Sequence, residues 1–444
     1  MLSIFRSKKY FQEQWKAKTI EYAEAVNVFI EKGLKDGWDS AGSEPKDNGR
    51  EELVPHLIKA IKLANDSNEL EALRNDWPLA HSPLIPILEK NGQSIPKVCF
   101  LEDGSIVARI GAPYESGYTV IIKNDQVSTL PNVDHFGRSP DRKYFAYTTK
   151  SGIRITNGWL GDEVCLCPYP KGDEGIPVGF KVDQFDKPPT PTSLIPFPDG
   201  KRVLYVSQEG IFVLEEKVAV RLLPTTGDMK EHFEWLNKEY PGDELSMNLE
   251  MDHGAISPCG KFIAIGSQDS QHLIFDDKYQ LVADIGNQSE YPHHALFSKN
   301  SDMVAFNSCH FYNGVTVGVP TNLLPGLKTE SYEEDERTPI LDEGARVYAG
   351  THRNDEFIIG DASGYLRAFS KKGEARWQHC IGSSIGDIDI SEDGSKLVCT
   401  TYAGFISILN LDTGKSERYE IGNGGHTEIR RWLFWKDQDY PLAW

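Results

Sequence analysis

Residues 255–267 read AISPCGKFIAIGS, and residues 388–401 read IDISEDGSKLVCTT. Each stretch holds an apolar run, a turn built from Ser, Pro, Asp, Cys or Gly, and a second apolar run. Short β-branched and aromatic runs separated by such turns are typical of antiparallel hairpins. The two stretches therefore predict hairpins of the same construction, one in the middle of the chain and one near its end.

The same unit recurs, which makes seven copies from about residue 97 onwards. The other five lie at residues 100–110, 136–148, 195–207, 295–307 and 349–361. Their turn positions are Asp103, Asp141, Asp199, Cys259, Asn300, Asn354 and Asp393, spaced 38, 58, 60, 41, 54 and 39 residues apart. Each interval has room for four strands, and most turns are followed by a second hairpin. The pattern predicts a series of four-stranded antiparallel sheets.

Stacking these sheets around a ring buries both of their apolar faces, which is the arrangement of an all-β propeller. The repeats resemble those of the WD-repeat and PQQ-like (quinoprotein-type) superfamilies, over roughly 350 residues. Residues 363–377, SGYLRAFSKKGEARW, are similar to a PQQ-like repeat through Gly364, Gly373 and Trp377, and the Ser-Pro-Asp turns are similar to those of WD repeats. No unit carries the Trp-Asp dipeptide. The resemblance implies a propeller but no quinone cofactor, because it covers framework residues only.

Two segments outside the seven units bear on the number of blades. Residues 426–444 can supply an inner strand and a second strand, and residues 82–96 can supply the missing outer hairpin. Closing the ring with strands from both ends removes the last exposed sheet edges. We therefore expect eight blades over residues 82–444, with seven as the alternative, in which Trp432, Phe434 and Trp435 pack as a tail.

Residues 1–80 are expected to be helical. Apolar side chains such as Phe11, Trp15 and Val26 recur at three- and four-residue intervals among Lys and Glu. Residues 36–50 collect Gly, Ser, Pro and Asp and predict a loop, after which residues 51–64 repeat the helical pattern.

The charge of the chain limits its partners. The 444 residues contain 47 Lys and Arg against 66 Asp and Glu, a formal net charge of −19. This acidity argues against non-specific binding to nucleic acid or to anionic membranes. The sequence shows neither a signal peptide nor an apolar run of about 18 residues, and its seven cysteines are scattered. We expect a cytoplasmic protein.

Three connections are longer than the others: residues 159–193, which are rich in Pro and Gly, residues 224–250, with a helix expected at 228–240, and residues 318–344, with the acidic run SYEEDER. Connections from an outer strand to the next inner strand lie on one face of a propeller, so we expect the three to form one decorated face. Loops on a rigid scaffold commonly carry binding, although neutral loop drift explains such insertions equally well.

One position of the repeat is occupied by a polar or ionisable residue in every unit. Six residues before the successive turns stand Lys97, His135, Ser193, His253, His294, Tyr348 and Asp387, with Arg431 at the equivalent place in the tail. Asp134, Asp252 and His293 come one residue earlier. Imidazole and carboxylate are ligands for Zn²⁺ or iron and can also act as general acid and base. His135, His253, His294, Asp134, Asp252 and Asp387 are therefore the candidate metal ligands, although channel-lining polar residues often satisfy one another or bound water.

Other motifs are weak. Residues 382–386 satisfy G-x-S-x-G but lie between two predicted blades, Cys165 and Cys167 lack a second cysteine pair, and Asp387, Asp389 and Asp393 miss the EF-hand spacing at Glu392. No nucleotide-binding glycine motif occurs. We expect a non-catalytic scaffold without cofactor, whose acidic, loop-decorated face binds a protein or peptide. The alternatives are a metal-assisted propeller hydrolase and a sensor of a small ligand.

Overall fold

Seven separate antiparallel sheets make up most of the chain. The computed structural model describes residues 2–414 and 417–444, with side chains from residue 9 onwards. Within these residues five sheets have four strands and two have five, and their order follows the chain. The predicted β-propeller fold is therefore confirmed, with the sheets as its blades.

The first four blades hold β1 to β16. Blade 1 consists of β1 (Lys97–Phe100), β2 (Ile106–Ile110), β3 (Tyr118–Lys123) and β4 (Gln126–Leu130). Blade 2 consists of β5 (Phe136–Arg138), β6 (Tyr144–Thr149), β7 (Gly152–Asn157) and β8 (Glu163–Cys167). Blade 3 consists of β9 (Ser193–Pro196), β10 (Val203–Ser207), β11 (Gly210–Leu214) and β12 (Ala219–Leu223). Blade 4 consists of β13 (His253–Ile256), β14 (Phe262–Gly266), β15 (His272–Asp276) and β16 (Leu281–Ile285), with a fifth strand from the next blade's insertion.

The last three blades hold the remaining strands. Blade 5 consists of β17 (Tyr291–Phe297), β18 (Met303–His310), β19 (Asn313–Pro320) and β21 (Ile340–Glu343), and the intervening β20 (Leu327–Lys328) joins blade 4. Blade 6 consists of β22 (Val347–Arg353), β23 (Glu356–Asp361), β24 (Tyr365–Ser370) and β25 (Ala375–Cys380). Blade 7 consists of β26 (Ile385–Ile390), β27 (Lys396–Thr401), β28 (Phe405–Asn410), β29 (Thr427–Leu433) and β30 (Leu442–Ala443).

The seven predicted turns each join the first and second strands of a blade. In the turn that follows β26, Asp393 accepts hydrogen bonds from the Ser391 hydroxyl (2.6 Å) and the Ser395 backbone N–H (3.0 Å), and Gly394 takes a positive φ of 70°. This is the turn chemistry of Asp, Ser and Gly that the repeats display. We call the face at which the inner strands begin the upper face, and the face of these turns the lower face.

The expectation of eight blades is wrong, and the alternative of seven is correct. Residues 82–96 form a 3₁₀ turn and a helix instead of a hairpin, and Thr427–Leu433 pairs with β28 as the fourth strand of blade 7. The physical reason is that no strand directly after β28 pairs with its free edge, so residues 427–433 pair there and form the fourth strand of blade 7. Arg431 accordingly lies in an outer strand, paired with Glu428 at 2.8 Å, and not at the channel.

Helices precede the propeller, as expected. They are α1 (Leu2–Asp36), α2 (Trp38–Ala41), α3 (Val54–Ser67), α4 (Leu73–Asp76) and α5 (Ile85–Asn91), with 3₁₀ turns at Glu51–Leu53 and Ser82–Leu84. A further helix, α6 (Thr226–Glu239), follows blade 3, and a 3₁₀ turn at Thr321–Leu323 follows β19.

The N-terminal helices pack against the outer edge of blade 7. Trp15, Leu57 and Ile61 share one apolar cluster with Trp435 and Trp444. The Asn65 side-chain amide donates to the Ala443 carbonyl (2.8 Å) and accepts from the Ala443 N–H (2.9 Å). These contacts cover the edge strands β29 and β30, whose backbone groups would otherwise be open to another chain.

Carboxylates of β26 close the ring between blade 7 and blade 1. The Val98 N–H donates to Asp387 (2.9 Å) and the Phe100 N–H donates to Asp389 (2.7 Å). Arg138 of blade 2 donates to the Phe100 carbonyl (2.8 Å) and to Asp389 (2.7 Å). Arg142 adds a second guanidinium at 3.1 Å from Asp389. Asp389 thus joins blades 7, 1 and 2 through one buried carboxylate.

Replacing Asp389 by Ala is expected to lower the free energy of unfolding by about 3–5 kcal/mol, because two arginines and a backbone N–H lose a buried anionic partner. Urea-induced unfolding at pH 7 measures this loss. The exposed neighbour Glu392 serves as the control, and E392A is expected to change stability by less than about 0.5 kcal/mol. A D389A protein as stable as E392A would show that the ring does not depend on this carboxylate.

Candidate functional site

The channel between the inner strands holds a cavity of about 640 Å³. Its walls come from the inner strands of all seven blades. Blade 2 contributes only the end of β5, at Arg138, and the turn residues Ser139, Pro140 and Arg142. Six of the seven register residues line it, namely Lys97, Ser193, His253, His294, Tyr348 and Asp387. His135 lines a smaller neighbouring cavity, which Lys97 and Ser193 also border. The common register of the repeats therefore places these side chains around one axis.

The carboxylates of the candidate metal site are engaged by the protein itself. Asp387 pairs with Lys97 at 2.9 Å. Asp252 accepts a hydrogen bond from the Thr192 hydroxyl, and burial raises the pKa of Asp252. Asp134 lies 3.6 Å from the Arg109 guanidinium. Each of these acids thus has a partner that competes with a metal ion.

Four histidines of blades 4 and 5 lie near one another beside the channel. The rings of His253 and His272 are 5.9 Å apart, and His272 bonds to the Ser308 hydroxyl at 3.1 Å. Burial lowers the pKa of His253 to about 4, and burial together with the charge of His253 lowers that of His294 to about 3. Desolvation and the positive charge of Arg346 lower the pKa of the half-buried His293 to about 3. The cluster is neutral at pH 7.

The six candidate ligands do not form one coordination shell. His253 and His294 share the main cavity with Asp252 and Asp387, whereas His135 lies in the neighbouring one. In the part of the chain that the structure describes, no group of three or more His, Cys, Asp or Glu side chains is placed to hold a metal ion. The Nε2 atoms of His253 and His294 are buried and have no hydrogen-bond partner among the described residues.

The upper mouth of the channel contains residues that the repeat register does not single out. Tyr114 lies in the turn between β2 and β3, Tyr402 in the turn between β27 and β28, and Arg346 in the connection before β22. Arg346 stands two residues before the register residue Tyr348. At this position the other blades have Ile95, Val133, Pro191, Met251, Pro292 and Ile385. One arginine among apolar equivalents is the signal by which the sequence could have identified it.

Two of the three long connections decorate the upper face. Residues 168–192 and 224–252 each lead from an outer strand to the next inner strand. The second contains α6, whose capping box is formed by Thr225 and Asp228, and this confirms the predicted helix. Residues 224–250 carry seven Asp or Glu against two Lys. The connection itself is therefore acidic.

The third long connection was expected to lead from an outer strand to the next inner strand, and this expectation is wrong. It joins the third and fourth strands of blade 5, so it begins and ends at the lower face. Its β20 pairs in parallel with β16, and the Tyr332 N–H donates at 2.9 Å to the carbonyl of Asn287, which lies in the upper connection from β16 to β17. The acidic run SYEEDER therefore follows the outer edge of blade 4 to the upper face.

Large aromatic side chains are exposed around the upper face. Phe311 and Tyr312 form the tip of the β18–β19 hairpin and expose 70% and 65% of their surface. Trp235 and Tyr240 of the acidic connection expose 49% and 53%, and Tyr114 at the mouth exposes 51%. Exposed aromatic residues of this kind are the usual anchors of protein interfaces.

The weaker motifs have structural roles. The Ser384 hydroxyl of the G-x-S-x-G stretch donates to the Ala362 carbonyl at 2.6 Å. The sulfur atoms of Cys165 and Cys167 are 3.7 Å apart on β8, and burial raises the pKa of both thiols. Neither group has the geometry of an activated nucleophile.

Comparisons with known proteins found only remote structural similarity. No family model matches the sequence, and no curated protein is significantly similar to it. Hsv2 from Kluyvelomyces marxianus is 10% identical, with a TM-score of 0.41 over 77% of this chain and 99% of that chain. The Cps50 (Swd1) β-propeller domain from Myceliophteria thermophila is 11% identical, with a TM-score of 0.45 over 69% and 93%. BamB from Moraxella catarrhalis is 14% identical, with a TM-score of 0.39 over 71% and 85%.

Hydropathy adds one finding about the helices. Among the helical residues that the structure describes, no helix combines the length and the apolar character needed to cross a bilayer.

The neutral histidine cluster predicts that stability falls as the pH is lowered. His294 has a folded pKa of about 3, below the usual 6.5, so the unfolded chain binds the proton first. The contribution of the neutral His294 to the free energy of unfolding is fully present above pH 6.5. Below pH 6.5 it falls by about 1.4 kcal/mol per pH unit. Urea unfolding of wild type and H294Q between pH 7 and pH 4.5 measures the difference in slope. Parallel stability curves for the two proteins would contradict a neutral, buried His294.

Proposed function

We propose that the protein is a non-catalytic β-propeller that binds a protein or peptide partner through its upper face. The observation that carries this proposal is the group of exposed aromatic side chains around the channel mouth, led by Phe311 and Tyr312. Aromatic residues on a rigid scaffold can anchor a partner without large loss of conformational entropy.

The charge of the face favours a partner with basic residues. The connection with α6 places seven acidic residues and two lysines beside Trp235 and Tyr240. Complementary charge at the rim of an interface speeds association and selects among partners. The same acidity disfavours nucleic acid, and we propose the cytoplasm as the place where the partner is met, because the cysteines are few and scattered.

The hydrolase alternative has less support. A metal-assisted reaction needs a ligand set that leaves a coordination position open for water. Asp387 is paired with Lys97, and Asp252 is bonded to Thr192. Buried atoms without a hydrogen-bond partner among the described residues still favour a metal, namely Nε2 of His135, His253 and His294 and Oδ1 of Asp134 and Asp252. The double variant H253N/H294N separates the two functions, because a scaffold keeps its partner in that variant.

Affinity capture with matched variants tests the proposed interface. F311A/Y312A removes two exposed anchors of the upper face and is expected to lower partner recovery more than tenfold, the effect of losing about 2 kcal/mol or more. The control L160A/V218A removes two exposed apolar side chains from connections on the lower face. Quantitative mass spectrometry compares both with wild type.

The expected result is a partner recovered with wild type and with L160A/V218A but lost from F311A/Y312A. Equal recovery with both double variants would show that the partner binds elsewhere. Turnover of a substrate that H253N/H294N abolishes, in a protein that remains folded, would establish the hydrolase instead.

A further inference from the structure

Arg346 is unusual among the arginines of this chain. Among the arginines whose side chains the structure describes, it and Arg221 are the ones without a carboxylate oxygen within 4.0 Å. Arg221 is satisfied by three backbone carbonyls, of Glu174, Glu209 and Gly172, at 2.9–3.0 Å. Arg346 instead lines the channel cavity. Its charge is uncompensated in a protein that has many more acids than bases.

A neutral histidine holds the Arg346 guanidinium in place. His293 Nδ1–H donates to the Val347 carbonyl (2.6 Å), which leaves Nε2 as the acceptor for the Nε and Nη2 groups of Arg346 (3.3 and 3.2 Å). Nη1 donates to the Phe311 carbonyl at 3.2 Å. A guanidinium has five N–H groups, so two remain for a ligand. His293 is therefore a positioning residue that orients the arginine without neutralising it.

Three tyrosines surround the same space. The ring of Tyr348 lies 5.1 Å below the Arg346 guanidinium and 5.3 Å from the ring of Tyr402. Tyr114 borders the cavity from blade 1. Within the described residues none of the three hydroxyl groups has a hydrogen-bond partner, nor is any of them a buried atom. The mouth thus offers aromatic walls and open hydroxyl groups beside one cation.

The remaining charges limit the valence of an anion at this site. The nearby Lys97 is paired with Asp387, and Asp252 also borders the cavity. Because Lys97 and Asp387 compensate each other, a dianion such as phosphate would meet one uncompensated cation, Arg346, together with the acidic Asp252. A monocarboxylate matches the single charge, and its two oxygens suit a planar guanidinium.

We propose that the upper mouth of the channel is a binding site for a monocarboxylate, held by Arg346 with its apolar or aromatic body between Tyr114, Tyr348 and Tyr402. The site is the upper part of the channel cavity, whose whole volume of about 640 Å³ leaves room for a small acid. The carboxylate can belong to a free small acid or to a residue of a bound chain. The site does not depend on the proposed partner binding.

Ligand-observed NMR with phenylacetate at millimolar concentration tests the site. Saturation transfer from the wild-type protein to phenylacetate is expected, whereas the uncharged analogue phenylacetamide is expected to bind at least tenfold more weakly. Inorganic phosphate, which has no C–H protons to observe, is added as a competitor and is expected to need at least tenfold higher concentration than a carboxylate to displace phenylacetate. R346Q is expected to lower phenylacetate affinity at least tenfold. R376Q is the control, because Arg376 is an exposed arginine on the outer strand β25.

Three results would overturn the proposal: no saturation transfer to phenylacetate, equal binding of phenylacetamide by the wild type, or unchanged affinity in a folded R346Q protein. The comparison of acid with amide uses wild-type protein alone, so it decides the question even if R346Q fails to fold. R346K is a second variant, expected to retain charge but to bind more weakly because it loses the planar pair of donors.

Capture experiments then identify the source of the carboxylate. If it belongs to a partner chain, excess phenylacetate and R346Q each lower partner recovery. If it belongs to a free acid, recovery is unchanged while phenylacetate still binds. If F311A/Y312A loses the partner and phenylacetate does not bind to the wild-type protein, the partner interface is supported and the carboxylate site is rejected.

Discussion

The structure depends on the contact by which blade 7 meets blade 1. Each blade is a separate sheet, so no strand ladder crosses this boundary, and the ring has to be closed by side chains. Asp387 and Asp389 provide the closure by accepting the backbone N–H groups of Val98 and Phe100. Because both carboxylates are on one strand two residues apart, they face the same neighbour. A buried carboxylate in this position is stable because arginines from blade 2 reach it.

The helical segment completes the blade that closes the ring. Blade 7 takes its fourth strand from residues 427–433, and β30 adds a fifth strand. Trp15 and Trp444 bury this edge, with the Trp444 indole N–H donating to the Trp77 carbonyl at 2.8 Å. The helices occupy the outer edge of blade 7, whereas the aromatic residues on the connections of blades 3 to 5 are exposed. The edge of blade 7 is thus structural, and the upper face is the one proposed to bind a partner.

The candidate site was only partly predictable. The register of the inner strands follows from the repeat, so the channel positions of Lys97, His253 and Asp387 could be read from their distance to the turn. The ion pairs and hydrogen bonds of these groups could not be predicted, because the partner of Asp387 comes from a strand 290 residues earlier in the chain. Arg346 was missed for a related reason. It lies in a connection outside the repeat, and its lack of a carboxylate partner is a property of the assembled mouth.

The repeating hairpin, its turns and the resulting propeller could be predicted from the amino-acid sequence. Those features depend on local turn chemistry and on a period-two apolar pattern, which neighbouring residues are sufficient to specify. The number of seven blades, the role of residues 427–433 as an outer strand, and the course of the acidic run at 331–337 along the edge of blade 4 became evident only in the folded chain. These outcomes depend on which open edge each segment can reach, and an edge exists only after distant strands have assembled.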